Sequence, residues 1–477
     1  MLRKTINFIL FLPFGLYVTS QNSIASEKKD FVNAISEKKE DILYINYEDL
    51  NKIILNNNEL KSLKELVKSS SFNLSSKISK RFPSLDLQAN GLPKYVAGRN
   101  YNSNTQNTKT SQFSADPSLN IRWDLIDPLR GTEIKMARKN YKIAKNNYEI
   151  KKQDLVQEAK SRYHKYQKSF QDINNEKYNV NLSIKSLEDA TSKLEAGIGT
   201  RFEVLEADAQ LSRDKQSLNE KKIKHKINKI ALKEILNIKR DFEINTSQRM
   251  IGFWNYKLSQ NINNGLTKNL ELKNLSLQKE IKENKAKNFL NANKPSIYIT
   301  NSFSSNFSKG DSLSQEIDSS EYGSSYTNTI GLNLSWNIFN GGQNKNSYKS
   351  SKAEAQADEY SYDNFKNNLR TNIIKTYLNL KLDEDKILSH LKEISSAKES
   401  LRLSRLRYDV GISTLKDVLI RQKELSNAKS NHTNSIYNYN INLAKLERLT
   451  SFEINNQCTS NENNKIEKKE SICNIPR

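Results

Sequence analysis

Leu119-Asn120-Ile121-Arg122-Trp123 returns 213 residues later as Leu332-Asn333-Leu334-Ser335-Trp336, and these two stretches decide the fold. Both alternate apolar and polar side chains, the pattern of a strand with one apolar face. In the first, Leu119, Ile121, Trp123 and Leu125 oppose Asn120, Arg122 and Asp124. In the second, Ile330, Leu332, Leu334, Trp336 and Ile338 oppose Asn333, Ser335 and Asn337. The likeness extends outward in order. Upstream, Glu59-Leu60-Lys61 and Pro83-Ser84-Leu85 match Glu271-Leu272-Lys273 and Pro295-Ser296-Ile297 at an offset of 212. Downstream, Gly197-Ile198-Gly199-Thr200 and Val204-Leu205 match Gly411-Ile412-Ser413-Thr414 and Val418-Leu419 at 214. An offset that drifts by single residues, while a Pro, a Trp and a Gly turn keep their order, marks an internal repeat.

Each half therefore reads as a helix, two strands, a long helix, a short turn and a return helix. Partner strands are expected after Pro83 and Pro295, where Leu85 and Leu87, and Ile297 and Ile299, alternate with polar residues. Residues 91–115 and 305–327 read as polar hairpin loops. From Thr132 to Glu195 there is neither Pro nor Gly, and Ile134, Ala137, Tyr141, Ala144 and Tyr148 recur at coiled-coil spacing. Tyr362, Phe365, Leu369, Ile373, Tyr377 and Leu380 mark the matching seam. Such a helix runs to about 100 Å at 1.5 Å per residue. It must pack along others, and the turns at Gly197–Thr200 and Gly411–Thr414 are short enough to make its neighbour antiparallel.

The composition agrees. In 477 residues there are only 14 Gly and 7 Pro, which favours long unbroken helices over an α/β enzyme rich in turns. Mean hydropathy is −0.77, and beyond the N-terminus no apolar run approaches the roughly 18 residues of a membrane helix. Membrane strands are compatible with that, since they alternate. Arg3 and Lys4, the apolar stretch Ile6–Val18 and the small residues ending at Ala25 read as a secretory signal peptide cleaved after Ala25. The net charge of +22 could suggest nucleic acid, but export argues against that partner and leaves the Lys excess to solvated helix faces. The expected division is a signal peptide at 1–25, a charged extension at 26–45, a first repeat at 46–245, a connector at 246–258, a second repeat at 259–452 and a polar tail at 453–477. That tail holds Cys458 and Cys473, which an oxidising compartment outside the cytoplasm could pair.

Two repeats of a strand pair and a helix pair, the latter turning at Gly-x-x-Thr before Val-Leu, resemble the TolC family of outer membrane efflux proteins. The resemblance covers about residues 46–452 and rests on Leu194–Gln210, Tyr408–Glu424, Ser118–Trp123, Ile330–Trp336 and Phe339-Asn340-Gly341-Gly342. It implies an α+β membrane protein and a homotrimer. Four strands per chain would form a shared β-barrel in outer membrane lipid, continuous with a long antiparallel α-helical barrel in the periplasm. It further implies an exit duct working with a periplasmic adaptor and an inner-membrane pump, ABC or proton-driven. No enzymatic chemistry, cofactor or metal is implied, and His164, His225, His390 and His432 stand alone in helical sequence.

By motif, the family's periplasmic gate falls on Glu203, Glu206, Asp417 and Tyr408, and its adaptor-contact turns on Gly197, Gly199, Thr200, Gly411 and Thr414. This chain departs from the family at Ser413, where a gate Arg is expected, and at Ile420, where a second acid is expected. Thr200-x-x-Glu203 and Thr414-x-x-Asp417 also fit capping boxes, so helix capping and gating stand side by side as roles for these acids. Trp123 and Trp336 read either as headgroup-level aromatics or as packing residues at the strand-to-helix corner. The alternative function is an exported coiled-coil structural or adhesive protein, which would need the long helices but not the four strands.

Overall fold

The structure, a computed structural model, describes residues 43–100, 108–244, 252–312 and 322–454. The signal peptide, most of the extension at 26–45, and Cys458 and Cys473 lie outside these residues. The chain divides into two units. The described residues of the smaller are 43–44 and 239–243, with Leu43 N donating to Asp241 O at 3.3 Å; β1 (Leu43–Ile45) and β4 (Phe242–Ile244), which are laddered to each other, begin there.

The larger unit carries everything else. After a short helical turn, α1 (Leu50–Ile53), its elements are α2 (Asn58–Ser79), β2 (Ser84–Asn100), β3 (Thr108–Ile126), α3 (Arg130–Glu195) and α4 (Arg201–Leu236). The second half supplies α5 (Leu258–Lys268), α6 (Leu270–Asn291), β5 (Ser296–Ser312), β6 (Tyr322–Ser335), α7 (Gln343–Asp409) and α8 (Leu415–Thr450). Mostly helical, it includes one antiparallel sheet in the order β2-β3-β5-β6, open at β2 and β6.

The register sorts the sheet's side chains into two faces. Leu87 stands opposite Leu119, Leu119 opposite Phe303, Trp123 opposite Ile299, and Ile299 opposite Leu332. This face is apolar yet solvent-facing in the single chain: Leu85, Leu87, Ile330, Leu332 and Leu334 are all exposed. Its opposite carries Asp86, Asn120, Ser302 and Thr329 in one row. The expectation of loops at 91–115 and 305–327 needs correction, because pairing runs through Asn100↔Thr108 and Lys309↔Tyr322. Alternation fades there into Ser, Asn and Gly, while the backbone ladder needs no apolar side chain to continue. At the other end β6 stops at Ser335, so Trp336 and Ile338 lie beyond the strand.

The expected helix seams are buried in part, with Tyr141, Ala144 and Tyr148 of α3 and Tyr362, Phe365 and Tyr377 of α7 only partly covered. Ile134 and Ala137 of α3, and Leu369, Ile373 and Leu380 of α7, are buried. Leu272, Leu369 and Ile373 form one core cluster, flanked by Tyr362, Phe365 and Leu449. Each fully buried aliphatic contributes about 2 kcal/mol. Ion pairs tie helices that the apolar seam alone would let slide. Arg448 of α8 binds Asp154 of α3 at 2.8 Å and also Glu271 of α6, and Lys160 of α3 pairs with Glu447 at 2.5 Å.

The helix-to-strand corners repeat faithfully. Trp123 Nε1 donates to Arg81 O at 3.0 Å, and Trp336 Nε1 to Asn293 O at 2.8 Å. Arg81 and Asn293 are themselves 212 residues apart, so one indole bond pins the same corner in both halves.

Candidate functional site: the tips of the helical hairpins

The two hairpin tips, α3–α4 and α7–α8, hold the residues that the sequence points to as gate and adaptor contacts. The first turn exists because α3 runs into Gly197, whose φ of +76° only glycine adopts without strain. Gly197 N and Ile198 N then bond Leu194 O and Lys193 O at 3.0 Å each, satisfying carbonyls that the helix end leaves open. Gly199 closes the turn, its N 2.9 Å from Lys193 O, and a Cβ at this position would meet Leu194 N at 2.8 Å. The second turn follows the same plan around Gly411 at φ +79°, with Ile412 N to Arg407 O at 2.8 Å.

Return helices start at full capping boxes. Thr200 Oγ1 accepts from Glu203 N at 3.2 Å, while Thr200 N donates to Glu203 Oε2 at 3.3 Å. Thr414 Oγ1 accepts from Asp417 N at 3.3 Å, and Thr414 N donates to Asp417 Oδ2 at 3.1 Å. These bonds from Thr414 hold the Asp417 carboxyl below the usual carboxylate range, Arg407 and Arg421 adding to the effect. Capping is thus a role that both acids perform.

Tyr408 sits apart from the acids in character. Only 4% exposed, it belongs to a core cluster drawn from both hairpins: Ala190, Ala207, Leu401, Leu415, Val418 and Leu425. Burial first, then the carboxylates of Glu203, Asp189 and Asp409, pushes its phenol up to about 12. The structure therefore brings Glu203 into the field of Tyr408. Asp417 does not share that field and answers to Arg407 and Arg421 instead. Glu206, one turn along α4, lines a separate groove of ≈270 Å³ with Glu176, Asp214, Lys416 and Lys423.

Two features escaped the sequence. Lys193, in the last turn of α3, places its ammonium 3.5 Å above the Tyr408 ring centroid and donates to the Tyr408 carbonyl on the other hairpin. A basic residue at a helix end is ordinary, so nothing in the sequence distinguishes this one. The second is a polar seam that joins α3 to both α8 and α4. Gln422 Nε2 donates to Ser183 Oγ at 2.7 Å, Asn179 Nδ2 to Ser426 Oγ at 2.6 Å, and Ser183 Oγ to Asp214. Polar residues at core spacing, 179, 183 and 186 on α3, were its one available signal. The tips themselves are apolar and bare: Ile198, Phe202, Val410 and Ile412 are each at least 70% exposed.

Among the described residues no three His, Cys, Asp or Glu side chains gather as a metal site, and no helix is long and apolar enough to cross a membrane. The family model described as "Outer membrane efflux protein" matches residues 50–237 and 266–451. The chain belongs to the outer membrane efflux protein family. It is therefore a TolC-like channel of the outer membrane and not an enzyme. Curated proteins give no sequence match. Solved structures share the fold of this outer membrane efflux protein at low identity. CusC, whose crystal structures concern folding and transmembrane channel formation, has 16% identity and a TM-score of 0.71 over 85% of this chain and 91% of its own. VceC of Vibrio cholerae has 15% identity and a TM-score of 0.70, over 85% and 96%. The CmeC outer membrane channel of Campylobacter jejuni has 16% identity and a TM-score of 0.69, over 92% and 93%.

Proposed function

We propose that this efflux protein is one third of a homotrimeric exit duct. Its β-barrel would lie in outer membrane lipid, and its helical barrel would project through the periplasm to an adaptor and an ABC or proton-driven inner-membrane pump. One observation carries the reading: three layers of the larger unit are open, and open in the same order. The sheet runs β2-β3-β5-β6, and the helices pack α2–α3–α6–α7 on one length of α3 and α4–α3–α8–α7 on the other. In each layer one edge comes from the first half and the other from the second. Four strands fall short of the roughly eight needed to close a barrel, and open strand edges are not tolerated in lipid.

Joining first-half edges to second-half edges head to tail makes a ring, and three chains supply twelve strands. Exposed apolar stripes on the flanking helices support such a join: Ile223, Ile227 and Ile230 on α4, and Leu378 and Leu382 on α7. The division into two repeats, 46–245 and 259–452, belongs to the same reading. In the ring, Glu203, Glu206, Tyr408 and Asp417 narrow the periplasmic mouth. The bare apolar tips around Gly197, Gly199, Thr200, Gly411 and Thr414 receive the adaptor. Selection among drug, metal and protein cargo, in efflux or type I secretion, falls to the pump and adaptor.

Planar bilayer recording tests this reading. The purified protein should give discrete conductance steps favouring cations, because three copies of each acid line one narrow mouth. Glu203→Gln combined with Asp417→Asn should weaken that preference. Absence of discrete steps would overturn the duct, and steps with unchanged selectivity would leave these acids as caps alone.

A further inference from the structure

The gate needs something to hold it, and the Arg that the family resemblance leads one to expect is Ser413 here. The Ser413 hydroxyl reaches only Ser404 O on its own hairpin, at 3.5 Å. We propose that Lys193 does this work from the opposite hairpin, clasping Tyr408 and thereby tying the end of α3 to the end of α7. This rests on the duct reading above and names the residue that keeps its mouth closed.

Three observations converge on Lys193. Its ammonium makes two contacts with one residue, the ring face at 3.5 Å and the main-chain carbonyl, so both the side chain and the backbone of Tyr408 are held. That carbonyl lies in the last turn of α7, where the helix dipole is negative and where it already accepts from Gly411 N at 3.0 Å. The clasp therefore bears on the turn itself. Its target is fixed in place: Tyr408 is buried among Ala190, Leu415 and Val418, so moving its ring means opening the cluster shared by both hairpins.

A reciprocal contact strengthens the case. Arg405 of α7 reaches back to α3 and donates to Leu182 O at 3.2 Å. Each long helix thus offers a cation to a carbonyl of the other, and neither contact lies within a single hairpin. The Tyr408 hydroxyl is buried with no hydrogen-bond partner among the described residues, so what engages Tyr408 across the hairpins is its ring and carbonyl. Separating the hairpins breaks both cationic contacts at once.

The test is single-channel recording of Lys193→Met, which keeps the aliphatic stem and removes the charge and the donor. The open fraction should rise about tenfold, the scale of a partly desolvated cation–π contact. Lys193→Arg should restore wild-type closure, because guanidinium also stacks on an aromatic face and donates to a carbonyl. Tyr408→Leu reads the same contact from the other side and should likewise open the channel, the double variant being no more open than either single one. That covers the case in which Lys193→Met fails to assemble. A merely structural role would lower the melting temperature without changing the open fraction. Wild-type pores that both Lys193→Met and Tyr408→Leu leave unchanged would overturn the clasp alone. A wild-type protein that forms no pores would overturn the clasp and the duct together.

Discussion

Gly199→Ala isolates the geometry on which the first tip depends. The new Cβ would stand 2.8 Å from Leu194 N and 2.9 Å from both Lys193 C and Lys193 Cβ. Two of these atoms are backbone in the last turn of α3, so no side-chain rotation relieves them. Relief requires the turn to open, giving up the bonds from Ile198 N and Gly199 N to Lys193 O at 3.0 and 2.9 Å. At about 1 kcal/mol net for each bond, the turn loses about 2 kcal/mol. That is roughly a thirtyfold shift toward local opening. The second tip supplies the control, since Ser413 stands where Gly199 does and its N lies farther from the equivalent carbonyl, 3.2 Å from Arg407 O.

Hydrogen exchange read by mass spectrometry on peptides covering 190–203 and 404–417 measures the effect. Exchange should accelerate in the first tip only, with global melting unchanged, because a tip opens without the core. Ser413→Gly should alter its own tip by less than about 1 kcal/mol. Unchanged exchange in the first tip of Gly199→Ala would refute the steric argument.

Three further outcomes follow from the packing. Arg448→Met strands the carboxylates of Asp154 and Glu271 and should cost about 3 kcal/mol in denaturant unfolding, the low end for a broken buried pair because Asp154 keeps contact with water; a loss below 1 kcal/mol would show that the pair contributes little. Trp123→Phe and Trp336→Phe each remove one indole-to-carbonyl bond and should cost the same, about 0.5–1 kcal/mol, and a clear inequality would mean the two corners are not equivalent. For Asp417 the folded carboxyl is depressed below its ordinary 3.8, so its contribution is complete above that value and is lost as pH falls through the lower folded one. Exchange protection of the first turn of α8 should hold down to about pH 4 and then decline, and a decline near neutral pH would contradict this assignment.

The strand faces and both long helices were legible because burial imposes a period on the sequence. Leu119, Ile121 and Trp123 announce a strand, and Leu369, Ile373 and Leu380 a helix seam, since misplacing any of them would put an apolar side chain on the wrong face. Strand length was less legible. Beyond the alternating core, β2 and β3 continue through polar residues held by backbone pairing, which leaves no mark on side-chain choice. At the candidate site the capping boxes could be read from Thr200 and Glu203, or Thr414 and Asp417, because their partners lie three residues away. Lys193 could not, since its partner is 215 residues distant and only the packing of the hairpins brings it to Tyr408. The seam through Ser183 and Gln422 escaped for a related reason, as polar residues at core positions read as solvated until their partners are seen.

The account stands on a closed ring of three chains, and the protein mass of the particle extracted from the outer membrane in mild detergent tests this most directly. Light scattering corrected for bound detergent should give three chains, because in the proposed ring the open edges at β2 and α4 join β6 and α7 of another copy. A monomer or a dimer would contradict it, leaving the proposed ring unclosed.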